Sequence, residues 1–129
     1  MGNKAVIARD KTSYAEPCLY LHWNGGLASV EAFLMAAKEL GLDPKDKDFF
    51  TSFGRLLADS FFKTTLNEST VYVQFYCDAD RNNWDNGTYL IDDNMEIVRR
   101  RYKQGPDEVN EKKTQEIYQT IITNTTALA

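Results

Sequence analysis

The run Ser69-Thr70-Val71-Tyr72-Val73-Gln74-Phe75-Tyr76-Cys77 constrains the fold more than any other stretch of the chain. Its β-branched and aromatic side chains favour a pleated, half-buried backbone. A period of two sets Val71, Val73, Phe75 and Cys77 on one face and Tyr72, Gln74 and Tyr76 on the other. The residues before it follow a different period. Over 28–40, Val30, Phe33, Leu34, Ala37 and Leu40 recur at three and four, and Gly41 stands where a glycine commonly follows a helix C-cap. A second helix is predicted over 49–62 from Phe49, Phe50, Phe53, Leu56, Leu57, Phe61 and Phe62, with Arg55 off the main stripe. Two helices in succession before a strand do not make the alternating order of a parallel α/β sheet, so the pattern points to an α+β fold.

The other segments fill in that class. Lys4-Ala5-Val6-Ile7-Ala8 and the run 18–23 read as strands, and Asn24-Gly25-Gly26 stops the second of them. Glycine tolerates tight backbone turns, so this triplet predicts a strand-to-helix corner with free N–H groups that a ligand could meet. After a polar loop over 78–87, Thr88-Tyr89-Leu90-Ile91 and the run 95–102 flank the turn Asp92-Asp93-Asn94 as an antiparallel hairpin. Gly105-Pro106-Asp107 then opens a last helix over about 107–123, with Val109, Ile117 and Ile121 on a thin stripe. So little apolar surface leaves that helix free to pack on another subunit. The expected architecture is a mainly antiparallel sheet with two central helices and a C-terminal helix.

Composition bounds the function classes. At 129 residues with 43% hydrophobic and 26% charged side chains, the chain is one ordinary globular domain spanning 1–129. Its net charge of −4 has the wrong sign for general binding to a DNA backbone. The charge is uneven, however: 1–98 carry nine basic and fifteen acidic side chains, whereas 99–129 carry six and four, led by Arg99, Arg100, Arg101 and Lys103. Such a run commonly serves as a solvated strand edge. The first residues do not resemble a signal peptide and no run is long enough to span a membrane, so a cytoplasmic protein is expected. Cys18 and Cys77, without a CxxC pair or a second histidine beside His22, indicate neither a disulfide framework nor a zinc site, and both are expected to be small buried strand residues.

Catalytic constellations are weak. Cys18 and His22 share a face of one strand but stand roughly 13 Å apart along it, too far for a dyad. The aspartates over 78–93 lack the spacing of a calcium loop, and neither GxGxxG nor GxxxxGK[ST] occurs. Planar side chains close to arginine and asparagine are abundant instead. Trp23 precedes Asn24, Trp84 lies near Asn86, and Phe75 and Tyr89 fall on strands beside these loops. A nucleotide needs a π-face for its base, guanidinium donors for its phosphates and amides for its hydroxyls. Phe75 or Trp84 could stack the purine, Arg55, Arg99, Arg100 and Arg101 could neutralise a pyrophosphate, and Asn86 or Asn94 could read hydroxyls. Equally, each aromatic could be core and each asparagine beside glycine a turn former.

The string Leu19-Tyr20-Leu21-His22-Trp23-Asn24-Gly25-Gly26 with Ser29-Val30-Glu31-Ala32-Phe33-Leu34 resembles a block found in small phage and prophage proteins. Gly54-Arg55-Leu56 with Phe61-Phe62, and Asp85-Asn86-Gly87-Thr88-Tyr89 with Glu96-Ile97-Val98, fit the same pattern, so that the likeness covers roughly 4–102. The group so resembled includes the first-type Thoeris anti-defence proteins, the phage sponges for the cyclic ADP-ribose signal of bacterial immunity. The resemblance implies capture of glyco-cyclic ADP-ribose without its cleavage, no cofactor, assembly as a homo-oligomer, and room for cyclic oligonucleotides. It carries over His22, Trp23, Asn24, Arg55, Asn86 and Tyr89 as matching positions. The chain departs from the pattern at Leu27, where a polar or basic residue is expected, and in a longer segment over 78–83. The competing class is an acidic inhibitor that binds a protein of a bacterial defence complex through Asp78 to Asp93. A nucleotide hydrolase with an aspartate base is a third.

Overall fold

The computed structural model describes residues 3–128. Its centre is the strand Ala5–Arg9 (β1), whose first four residues are all buried. Beside it, Pro17–Leu21 (β2) runs antiparallel with Ala5 opposite Leu21, and Thr88–Ile91 (β4) runs parallel with Ile7 opposite Tyr89. Val71–Phe75 (β3) pairs antiparallel with β2, and Ile97–Arg101 (β5) with β4, giving the order β3-β2-β1-β4-β5. One parallel pair among four makes the sheet mixed and mainly antiparallel, and with its helices the fold is α+β.

The three α-helices of the described residues pack on one side of the sheet. Leu27–Glu39 (α1) buries Val30, Phe33, Leu34 and Ala37, and Gly41 follows it at φ 83°. Phe49–Leu57 (α2) continues directly into a π-helical turn, Ala58–Phe62, so the predicted helix is present with a wider last turn. That widening brings both Phe61 and Phe62 edge-on to Phe33, at centroid distances of 5.2 and 5.9 Å. Ile7, Leu19, Leu21, Val71, Tyr89 and Ile91 meet these helices from the sheet. The core therefore lies between one face and the helical layer.

The C-terminal helix corrects two expectations. It spans Glu111–Leu128 (α3), and Asp107 and Val109 precede it in an extended strap. Asn110 begins it, its side-chain Oδ1 accepting from Lys113 N–H at 3.0 Å. Ile117 and Ile121 are buried in the same core as α1, so the thin stripe does pack within its own domain. Alanines at 32, 36 and 37 allow this close approach to α1, and Thr114 hydroxyl adds a hydrogen bond to Ala28 carbonyl at 3.0 Å.

Strand ends differ from the sequence reading as well. β2 stops at Leu21, and β5 begins at Ile97, after Met95 turns the chain at φ 66°. Val98 is the extra residue of a bulge, since Leu90 faces Arg99 and Ile91 faces Ile97. β3 ends at Phe75; Tyr76–Asp78 forms a 3₁₀ turn that rotates Tyr76 inward and leaves Cys77 exposed, not buried. The turn is set by Tyr76 N–H donating to Glu16 carbonyl and Cys77 N–H to Tyr14 carbonyl.

Among the described residues, no α-helix packs on the second face. Val6, Ala8, Cys18 and Leu90 are covered by the 76–87 segment through Tyr76 and Ala79. Asn83, buried, braces that segment by donating to Asp80 and Gly87 carbonyls and accepting from Gly87 N–H.

Candidate ligand groove

Two of the sequence blocks meet at the start of α1. Tyr89 reaches from β4 to donate its hydroxyl proton to Gly25 carbonyl at 2.7 Å. Gly25 in turn donates to Asn3 carbonyl, and a Cβ at this position would lie 2.5 Å from that oxygen, so only glycine permits the approach. Asn86 donates through its amide to Asn3 Oδ1 and Lys4 carbonyl at 2.6 and 3.1 Å, and its own carbonyl accepts from Arg100. Asn24 sits at φ 57°, a left-handed conformation asparagine tolerates, and its amide faces Ser29 Oγ at 3.4 Å.

Around this junction lie two adjoining clefts. The larger, about 490 Å³, runs between α1 and the β4–β5 hairpin over Leu27, Leu34, Met95 and Ile97, and is also lined by Glu31, Lys38, Glu96 and Arg100. The smaller, about 160 Å³, is polar and opens on Gly26, Ala28, Ser29, Asn86 and Lys113. Leu27 and Asp107 line both, so the clefts form one groove with an apolar and a polar end. Among the described residues, no other backbone group engages the N–H groups of Leu27, Ala28 and Ser29, as the first turn of a helix dictates, and they lie at the polar end. Backbone amides in this position favour negative charge.

Arg100 is the central cation. Its guanidinium stacks over the Tyr89 ring at 3.8 Å and donates from one nitrogen to both Asp107 oxygens at 2.8 and 2.9 Å. Its Nε is buried without a hydrogen-bond partner among the described residues. Burial, opposed in part by the Arg100 charge, pushes the Tyr89 phenol well above its ordinary value, so it stays a neutral donor.

The predicted ligand residues therefore separate. Asn86, Asn94 and Arg100 line the groove, and Asn24 adjoins it. Tyr89 supports it from beneath but is fully buried, so its ring is a floor under Arg100 and not a platform for a base. Strand alternation divides the arginine run: Arg100 shares the helix-side face with Tyr89, while Arg99 and Arg101 pair with Leu90 and Thr88 on the other, and Arg99 pairs with Asp10 at 3.2 Å. Arg55 is exposed near the end of α2, which packs on β2 and β3. Phe75 is exposed at the end of β3, beyond the helical cover. Four strand spacings, roughly 19 Å, separate that edge from β5. These side chains do not converge on one ligand.

Trp23 is exposed beside His22, at 4.9 Å and nearly perpendicular, and His22 Nδ1 lies 3.1 Å from Tyr20 hydroxyl. Trp84 is 77% exposed in a loop at φ 58°. Sequence reasoning missed Glu31, Met35, Lys38 and Asp107 as groove residues, and Asn83 as the brace. The first three occupy the solvent side of α1, readable from its helical wheel once the hairpin is known to lie beside it. Asp107 gave no signal of its own.

Cys18, on the loop-covered face, is pushed up to about 12 by burial, which leaves a neutral thiol. Among the described residues, no group of three or more His, Cys, Asp or Glu side chains is gathered as for a metal ion, and no helix is long and apolar enough to cross a membrane. No protein family, curated protein or solved structure matches this chain.

Proposed function

We propose that this chain captures a compact phosphorylated ribonucleotide without cleaving it, as the sponges that its sequence blocks resemble do. Glyco-cyclic ADP-ribose is the favoured ligand, with cyclic oligonucleotides as the related class. The observation that carries this reading is the meeting of the Asn24-Gly25-Gly26 and Asn86-to-Tyr89 segments where an apolar cleft adjoins a polar one at the start of α1. An adenine ring suits the slot over Leu27, Leu34, Met95 and Ile97, and Glu31 and Glu96 are acceptors suited to ribose hydroxyls. The free amides of the first α1 turn and Lys113 suit a phosphate.

A groove open along one side encloses less of a ligand than tight capture usually needs. Nanomolar affinity corresponds to about −12 kcal/mol, near the ceiling of about 0.3 kcal/mol per heavy atom for a ligand of this size. Closure of the groove by a second copy in a homo-oligomer therefore accompanies the proposal. Such a protein would act in the cytoplasm of a bacterial host.

The test is to load the purified chain with glyco-cyclic ADP-ribose or a cyclic dinucleotide, remove free ligand, denature it by heat and chromatograph what is released. Intact ligand is the expected result. An altered product would make the chain an enzyme, and release of nothing would overturn capture. In the last case the acidic protein-binding inhibitor gains, because Trp84 stands exposed in the same loop as exposed Asp78 and Asp80.

A further inference from the structure

We infer that Arg100 and Lys103 form an oxyanion site that the chain fills with its own Asp107, and that a phosphate or pyrophosphate group binds by displacing this carboxylate. The inference deepens the capture proposal and rests on it for the identity of the full ligand, since the phosphate of the nucleotide is the group that takes Asp107's place.

Three features point to an exchangeable contact. Both oxygens of Asp107 are bound by one Arg100 nitrogen at 2.8 and 2.9 Å, and Lys103 Nζ approaches the same carboxylate at 3.7 Å. Two cations thus converge on a single anion. Arg100 is fixed from its other sides by the Tyr89 ring at 3.8 Å and by Asn86 carbonyl at 2.9 Å, so its guanidinium remains in place if Asp107 leaves.

Asp107, by contrast, belongs to a strap. Tyr102, Lys103, Gln104, Gly105, Pro106, Glu108 and Val109 around it are all exposed, and Gly105 turns at φ 71° with open space about it. The carboxylate stands where the two clefts join. Glu31, Glu96 and Glu108 line the groove nearby and disfavour a free polyanion. Selectivity therefore falls to a ligand that offers one phosphate to Arg100 and hydroxyl donors to the glutamates.

Inorganic pyrophosphate, titrated calorimetrically, is the probe. Asp107→Asn keeps the shape of the side chain and removes its charge, and it should bind pyrophosphate about tenfold tighter than the wild-type chain. Adding Arg100→Gln to that variant should abolish the gain. Equal affinity in the wild-type chain and Asp107→Asn, or a gain that survives loss of Arg100, would overturn the inference. Asp107→Ser is the second variant; if neither it nor Asp107→Asn folds, the carboxylate is structural and the inference fails. Nucleotide retention is read separately. Its failure alongside a gain with pyrophosphate removes the capture proposal and leaves the anion site standing.

Discussion

The two edges of the sheet solve the same problem by different means. At β3, the outward backbone groups are blocked from within: Asn67, at φ 70°, donates its N–H to Val71 carbonyl and accepts Val73 N–H on its side chain. Phe75, left over at the end of this edge, lies in a shallow hollow with Pro17, Val73 and Gln74. At β5, charge protects the edge, and Arg100 turns inward to tie Tyr89, Asn86 and Asp107 together. The first edge is closed on itself. The second gathers polar groups from segments remote in sequence, and the groove adjoins that edge. The groove thus forms where separate turns hold one another, and not where the sequence is densest in aromatic and cationic residues.

The largest test of this contrast is Gly87→Ala. Gly87 sits at φ 68° just before β4, and a Cβ there would lie 2.0 Å from Arg101 carbonyl at the end of the β4–β5 pairing. Loss of at least about 3 kcal/mol is expected in urea denaturation, or failure to fold. Gly41→Ala meets the same unfavourable φ sign in open space and should cost only about 1 kcal/mol. Similar losses for the two would mean that the close packing around Gly87 matters little.

Alkaline pH examines the side of the molecule opposite the helices. The Cys18 thiol ionises at its ordinary value of 9.0 when unfolded and at about 12 when folded, chiefly because burial disfavours the thiolate. Between these values the unfolded chain releases the proton while the folded chain keeps it. Stability is thus fully present below about pH 9 and declines as pH rises toward 12, by up to about 4 kcal/mol. Tyr20, Tyr76 and Tyr89 are also pushed upward, first by burial, and act in the same direction at higher pH. Chemical denaturation from pH 8 to 11 should show a shallower decline for Cys18→Ala than for the wild-type chain; parallel curves would remove Cys18 as a cause.

Tyr89→Phe isolates the junction at the start of α1. Losing the hydroxyl leaves Gly25 carbonyl without its buried donor, at a cost of about 1–3 kcal/mol in thermal or urea unfolding. Unchanged stability would show that water replaces the hydroxyl and that the two blocks are less firmly joined than their contact implies.

Most of the fold was legible because periodicity marks elements regardless of what they pack against. The helices at 27–39 and 49–62, the β4–β5 hairpin and the helix-side core residues follow from spacing alone. Cys77 was not, since its exposure depends on hydrogen bonds to Tyr14 and Glu16, sixty residues away. The α3 stripe was misread for a similar reason: only the alanines of α1 reveal that a helix can approach so closely. In the candidate site, Asn86, Asn94 and Arg100 were legible as turn and cation residues. The grouping of Arg99 and Arg101 with Arg100 failed because alternate residues of a strand point to opposite faces.

The smallest expected effects separate the edges most cleanly. Arg55→Ala removes an exposed cation near the end of α2, where its attraction to the helix carbonyls is worth at most about 0.5 kcal/mol. Phe75→Ala removes a ring that is 57% exposed. If the capture proposal holds, both variants should retain as much nucleotide as the wild-type chain, and both should unfold within about 0.5 kcal/mol of it. Arg100→Ala is the matched opposite. It uncovers Tyr89, unpairs Asp107 and frees Asn86 carbonyl, so it should lower stability by about 1–3 kcal/mol and impair nucleotide retention together. A loss of retention in Arg55→Ala or Phe75→Ala with stability intact would move the ligand to the β3 side and leave the groove at β5 without its role.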